Sequence, residues 1–108
     1  MKEKKVVFHG DSEKQLRGFP RALLEKTIFS IVQLQHGQET SLKTKPMQGL
    51  GDGVMEFIIK NGHPAYRCVY VLQDDAVHVL HAFSKTSSGT DSKHEKTIKQ
   101  RYKHIKNK

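Results

Sequence analysis

The chain has 108 residues, 35% of them hydrophobic, which is enough for one core and too little for a second domain, so residues 1–108 are expected to form a single domain. Nineteen Lys and Arg against 11 Asp and Glu leave a formal net charge of +8, which calls for a polyanionic or acidic partner. No apolar run approaches the roughly 20 residues that cross a bilayer, the apolar run at 6–8 is too short for a secretory signal, and one cysteine provides neither a disulfide framework nor a CxxC metal spacing, so a cytoplasmic protein without a membrane partner is expected.

Residues 5–9 (KVVFH) predict a short edge strand. Ser12 and Gln15 have the spacing of a capping box, in which the Ser oxygen accepts a helix N–H and the Gln reaches back, so a short helix is predicted from there to the interruption at Gly18. Pro20 suits the first turn of a second helix, because a proline lacks only a donor that is unused at that position. That helix is predicted to run to about His36, with Leu24, Ile28, Ile31, Val32 and Gln35 at helical spacing and Leu23, Phe29 and Leu34 widening its apolar face. From Gln38 to Gly53 the pattern disappears into a long basic loop holding Lys43, Lys45, Pro46 and the turn string GLGDG. Three strand-like runs follow, VMEFIIK, AYRCVYVL and AVHVLHAFS, separated by Asn61-Gly62 and by Asp74-Asp75, which predicts an antiparallel meander.

The last segment opens with Ser92 and Glu95, again at capping-box spacing, and places Ile98, Tyr102 and Ile105 along one thin stripe. From Lys85 to Lys108 there are eight basic and two acidic residues, hence +6 of the total charge. The predicted order is therefore β-α-α-β-β-β-α, an α+β fold whose final helix is basic and lightly docked.

Two-residue turns fix a register for the meander. Pairs summing to 123 set Glu56 opposite Arg67, and pairs summing to 149 set Arg67 opposite Ala82. One face then collects Phe57, Tyr66, Cys68, Tyr70, Val77, Val79, His81 and Phe83, a large apolar surface for the helices. The opposite face collects Val54, Glu56, Ile58, Arg67, Val69, His78, Leu80 and Ser84, with an ion pair in mid-sheet and the makings of a shallow open groove. His81 on the helix-covered face reads as a core histidine unless a bulge turns it over.

At this point the strings KPMQGLGDGVMEFII, AYRCVYVL and VHVLHAFSK, in this order of elements, resemble the phage-derived HigB-like branch of the RelE/ParE toxin superfamily over nearly the whole chain. The resemblance implies a RelE-like fold and the toxin of a type II toxin–antitoxin system, a ribosome-dependent mRNA endonuclease (mRNA interferase) that enters the ribosomal A site and inhibits translation. It implies no cofactor and no metal: the ribose 2′-OH attacks its own phosphodiester while basic residues stabilise the strained phosphate. Arg67 matches the arginine of the family's YR motif, and its planar fork suits a phosphate. Lys85 stands where these toxins keep a second basic group at the end of the last strand, although this chain reads FSKT where relatives often have two lysines. Lys43 and Lys45 fall where relatives supply lysines for mRNA contact or for activating the 2′-OH. For the general acid or base the candidates are His94, His81 and Glu56, with His94 preferred. Lys93, Lys96, Lys99, Arg101 and Lys103 of the last helix are the expected RNA and ribosome contacts.

Two other functions fit the same composition. One is ParE-like inhibition of DNA gyrase on the same fold. The other is a non-catalytic nucleic-acid-binding module, against which stands the small number of aromatics available for stacking. The seven histidines show no metal-ligand spacing, and His78 and His81, three apart on one strand, are expected to face opposite ways. The expected antitoxin neutralises the toxin with an acidic segment that covers the basic residues or displaces the last helix.

Overall fold

A computed structural model describes residues 3–62, 64–86 and 92–106. The elements are β1 (Lys5–Phe8), α1 (Ser12–Arg17), α2 (Arg21–Gln35), β2 (Lys43–Pro46), β3 (Val54–Lys60), β4 (Ala65–Leu72), β5 (Ala76–Lys85) and α3 (Ser92–Lys106). They build one five-stranded sheet in the order β1-β5-β4-β3-β2, antiparallel throughout except that β1 runs parallel to β5. The predicted meander, edge strand and three helices are present. The addition is β2, which lies inside the stretch expected to be an unbroken loop. Four residues of mixed Lys, Thr and Pro carry no alternation to read, and they pair with the edge of β3.

Helices α1 and α2 cover one face, over a core of Leu16, Phe19, Ile31, Leu34, Phe57, Ile59, Cys68, Tyr70, Val77, Val79 and Ala82. The expected capping box at Ser12 is not formed: Asp11 holds the cap position, and the buried Ser12 Oγ instead donates to the Val79 carbonyl at 3.1 Å, bonding α1 to the sheet. In α2 the residues turned inward include the small polar Thr27 and Ser30. Thr27 Oγ1 donates to the Leu23 carbonyl and Ser30 Oγ accepts the Leu42 N–H, so both hydroxyls are satisfied while the helix lies close to the sheet. That rotation leaves Ile28, Phe29 and Val32, expected among the packing residues, 41%, 56% and 38% exposed.

The opposite face is not an open groove, because α3 crosses it. Ile98 and Ile105 are buried against Val54, Val69, Val71, Leu80 and Phe83, with Leu50 from the glycine-rich turn joining them. Two glycines make room for this docking. A Cβ on Gly51 (φ +130°) would lie 2.6 Å from the Tyr102 ring, whose hydroxyl donates to the Asp52 carbonyl at 2.9 Å. A Cβ on Gly10 (φ +56°) would lie 2.6 Å from the Arg101 guanidinium. The thin stripe of α3 therefore docks more firmly than its apolar residues alone suggest, through a tyrosine and an arginine seated on bare backbone.

Candidate functional site

The register of the meander differs from the expected one in two places, and both differences shape the site. Between β3 and β4 the pairs sum to 125, so Glu56 lies opposite Val69 and Arg67 opposite Ile58, with an irregularity between Ile58 and Lys60. A four-residue connection, 61–64, replaces the expected two-residue turn. The slip is by two residues and preserves the faces. Glu56 and Arg67 meet diagonally, Arg67 Nε standing 3.6 Å from Glu56 Oε1.

Between β4 and β5 the pairs sum to 149 as far as Tyr70↔Val79 and to 150 from Val69↔His81 onward, which leaves Leu80 as the extra residue of a bulge. Beyond a bulge the alternation inverts. Ala82 thus belongs to the α1/α2 core, whereas His81, Phe83 and Lys85 turn to the α3 face. This corrects the assignment of His81 and Phe83 to the helix-covered apolar face, and it places Lys85 on the same face as Arg67. His78 and His81 face the same way rather than opposite ways, since His78 pairs with Val71 of the α3-side core.

Most of the residues singled out in the sequence consequently share one face. Lys45 of β2 pairs with Glu56 of β3, Glu56 approaches Arg67 of β4, Arg67 pairs with Phe83 of β5, and Phe83 stacks on His94 of α3 with ring centroids 4.2 Å apart and planes 19° apart. Lys43 flanks Lys45 on the same side of β2, and Lys85 pairs with Ala65 at the end of β5. The row runs across four strands and onto a helix. No sequence periodicity could have aligned it, because it depends on an unforeseen strand and a bulge.

The members differ in how they are held. Arg67 is only 9% exposed and its fork serves the β3–β4 connection: Nη1 donates to the Lys60 and Tyr66 carbonyls at 2.7 and 3.0 Å, and Nη2 to Asn61 Oδ1 at 2.8 Å. Lys43 and Lys45 are exposed on the sheet edge, and Lys93, Lys96, Lys99 and Lys103 are exposed on α3. Arg101 stands apart from those lysines. Its Nη1 donates to the Leu80 carbonyl at 2.8 Å, and its Nη2 to Asp11 Oδ1 at 2.6 Å, so it fastens α3 to the bulge and to the start of α1. The Arg101 hydrogen bond holds the Asp11 carboxyl below its ordinary range.

His94 Nδ1 lies 2.8 Å from His81 Nε2, and the His81 ring also stacks on Phe83. Burial, followed by the proximity of His94 and Arg101, pushes His81 down to about 4, so it is neutral near pH 7. Cys68 is raised to about 12 by complete burial and is no nucleophile.

Beyond Val79 no strand of the described residues flanks β5 on the β1 side, and a groove of about 580 Å³ lies there between α1 and α3. Lys14, Gln15, Tyr66, Phe83, Ser84 and His94 are among its lining residues. The Oε1 atom of Gln15 is buried without a hydrogen-bond partner. Sequence reasoning did not single out Tyr66, Phe83 or Gln15 for this groove, which is lined by aromatics it had assigned mostly to strands and core. Among the described residues no three His, Cys, Asp or Glu side chains gather as a metal site, and no helix is long and apolar enough to cross a membrane.

Solved structures similar to this one define its class as the RelE-type toxin fold. A mutant of the Escherichia coli toxin RelE in the free state superposes with a TM-score of 0.60 at 16% identity, over 95% of this chain and 98% of that one. A copper-bound mutant toxin from Helicobacter pylori gives 0.57 at 20% identity over 75% and 93%, and the RelBE2 toxin–antitoxin complex from Mycobacterium tuberculosis gives 0.52 at 21% over 77% and 99%. Within that fold, the chain belongs to the phage-derived Gp49-like protein family (DUF891), whose model matches residues 14–103. No match to the sequence is found among curated proteins.

Proposed function

We propose that this protein is the toxin of a toxin–antitoxin pair and acts as a metal-independent endoribonuclease on mRNA in the ribosomal A site. The observation that carries the reading is the row Lys45–Glu56–Arg67–Phe83–His94 across the α3 face, which joins cations, a carboxylate, an aromatic platform and an imidazole on one surface.

In this reading the ribose 2′-oxygen attacks the adjacent phosphorus, the P–O5′ bond breaks, and the products are a 2′,3′-cyclic phosphate and a 5′-hydroxyl. The 2′ proton leaves to a base, for which Glu56 and Lys45 are the candidates, and O5′ takes a proton from water. Lys85 and Arg67 oppose the charge that builds on the phosphate, Arg67 by exchanging part of its hold on the turn for phosphate oxygens. Tyr66, half-buried at the groove, offers a ring against which a base stacks, and Gln15 Oε1 offers an acceptor to a nucleotide hydroxyl or amino group. The lysines of α3 contact the ribosomal and messenger phosphates.

The partner that neutralises it is an antitoxin, and α2 supplies a surface for one. Ile28, Phe29 and Val32 lie beside Leu24 in a groove of about 700 Å³ whose rim carries Arg17 and Arg21. Both arginines are exposed and, among the described residues, pair with Glu13 and Glu25 along their own helices, so an acidic partner can re-pair them at little cost. Firm seating of α3 makes its displacement a less economical route to inhibition.

Induction of wild type and of His94→Gln and Lys85→Ala variants in cells, with mapping of mRNA 5′ ends, tests the activity. Cuts inside translated reading frames that fall by about 10²-fold or more in either variant are expected. Growth arrest with intact mRNA and altered DNA supercoiling would replace this reading with gyrase inhibition. Arg67→Ala is the poorer probe, because unpairing the turn carbonyls and Glu56 costs about 1–3 kcal/mol of stability as well.

A further inference from the structure

We infer that Arg101, acting through His81, fixes the proton of His94 on Nε2, so that His94 presents an N–H donor rather than a proton acceptor to the groove. The role this gives His94, hydrogen bonding a phosphate oxygen, rests on the nuclease reading; the proton placement does not.

Among the described residues, the chain of contacts has one consistent assignment of protons. A guanidinium donates and never accepts. Arg101 Nη1 approaches His81 Nδ1 at 3.4 Å while donating to the Leu80 carbonyl, so His81 Nδ1 is the accepting nitrogen. A neutral imidazole that accepts on one nitrogen carries its proton on the other. His81 Nε2 therefore bears hydrogen and donates across 2.8 Å to His94 Nδ1. Neutral His94 then carries its own proton on Nε2. Burial and the cationic neighbourhood keep His81 neutral near pH 7, consistent with this chain.

The seat of Arg101 is built by three separate segments, which argues that its position is specified rather than incidental. Gly10 leaves the space, Asp11 binds Nη2, and the β5 bulge directs the Leu80 carbonyl to Nη1 and turns His81 toward α3. The imidazole pair is faced by Asp11 and Lys14 from the α1 side, by Arg101 from α3, and by the Phe83 ring from β5, while Lys93 and Glu95 adjoin His94 in the chain. A base function for His94 would need a bare Nε2 and a proton on Nδ1. That would oblige His81 to accept on Nε2 and turn an N–H toward the guanidinium. Arg101 and His81 are thus positioning residues, and His94 alone of the three lines the groove.

Nitrogen-15 NMR of the imidazoles in the full chain reads the proton positions directly. At neutral pH both His81 and His94 are expected to show the Nε2–H pattern. In Arg101→Met, and independently in His81→Phe, which keeps an aromatic on Phe83, His94 is expected to become a mixture of the two neutral forms or to take up a proton at a higher pH. A wild-type His94 with hydrogen on Nδ1, or an unchanged His94 in a folded variant, overturns the proposal. If Arg101→Met does not fold, His81→Phe decides it alone. For RNA cleavage, His81→Phe is expected to lower kcat by about tenfold with little change in KM and to move the acid limb of the pH profile. Should the wild type cleave no RNA, the nuclease reading fails while the NMR result still decides the proton placement.

Discussion

The two faces of the sheet bury apolar side chains to different extents and for different ends. Under α1 and α2 the covered strand residues are apolar, with Phe57, Cys68, Val77 and Val79 fully enclosed. Under α3 the aliphatic residues Val54, Val69 and Leu80 are equally enclosed, but Arg67, His78 and His81 are buried among them and Glu56 is close by. Buried ionisable groups cost free energy unless each finds a partner, so a face that keeps three of them is not one organised for stability alone. The first face holds the fold, and the second combines a smaller core with the ionisable groups that the nuclease reading uses.

Truncations on the two sides sharpen this contrast. Phe57→Ala empties a fully buried ring site, also stacked on Tyr70 at 4.4 Å, and is expected to cost about 3–5 kcal/mol, enough to unfold a small domain. Ile98→Ala opens the α3 side and is expected to cost about 2–4 kcal/mol. Denaturant unfolding measures both. The cleavage reading adds a distinction: temperature or a stabilising osmolyte should restore activity to whatever Phe57→Ala protein folds, whereas Ile98→Ala should remain impaired after folding is restored, because α3 carries His94. Equal recovery of the two would dissolve the functional contrast between the faces.

Acid acts selectively on the α3 side. His81 is held at about 4, below its ordinary value of 6.5, so between those values the unfolded chain binds a proton that the folded chain does not. Stability is fully present above about pH 6.5 and is lost as pH falls toward 4. The Asp11–Arg101 pair fails later, as Asp11 is protonated below its ordinary range. A melting temperature that falls from pH 7 to pH 4, with a shallower slope in His81→Phe, is the expected result. Parallel slopes in the two proteins would show that other groups govern acid sensitivity.

How far the sequence revealed this division depends on the residue. The antiparallel core was legible because β3, β4 and β5 carry β-branched runs bounded by turn residues, and α2 because its periodicity spans four turns. Lys45, Arg67 and Lys85 were singled out through the family resemblance and Glu56 and His94 as candidate acids or bases, while the row that aligns most of them was not legible. It depends on β2, stabilised by pairing rather than propensity, and on the bulge at Leu80, a one-residue insertion that alternation cannot show because the run 76–83 is apolar apart from His78 and His81. Arg101 was read as an RNA contact from its place among the lysines of α3; its seat against Gly10 and Asp11 joins residues some ninety positions apart, beyond the reach of local pattern.

The smallest expected effect on the fold belongs to α2, and it separates the surface from both buried faces. Ile28 and Val32 are partly in water, so Ile28→Ser with Val32→Ser removes apolar area that folding does not fully enclose, and stability should change by no more than about 1 kcal/mol. Neither residue belongs to the row on the α3 face, so cleavage by the double variant should match the wild type. If an antitoxin segment lies in the groove between α1 and α2, that variant should escape neutralisation: co-expression with the cognate antitoxin would rescue growth of the wild type and fail to rescue the variant, with an affinity loss of about tenfold or more for two apolar anchors. Full rescue of both would place the antitoxin elsewhere, with the basic surface of α3 the next candidate. The exposed stripe on α2 would then count as ordinary apolar surface, since single exposed aliphatic residues are common on folded chains.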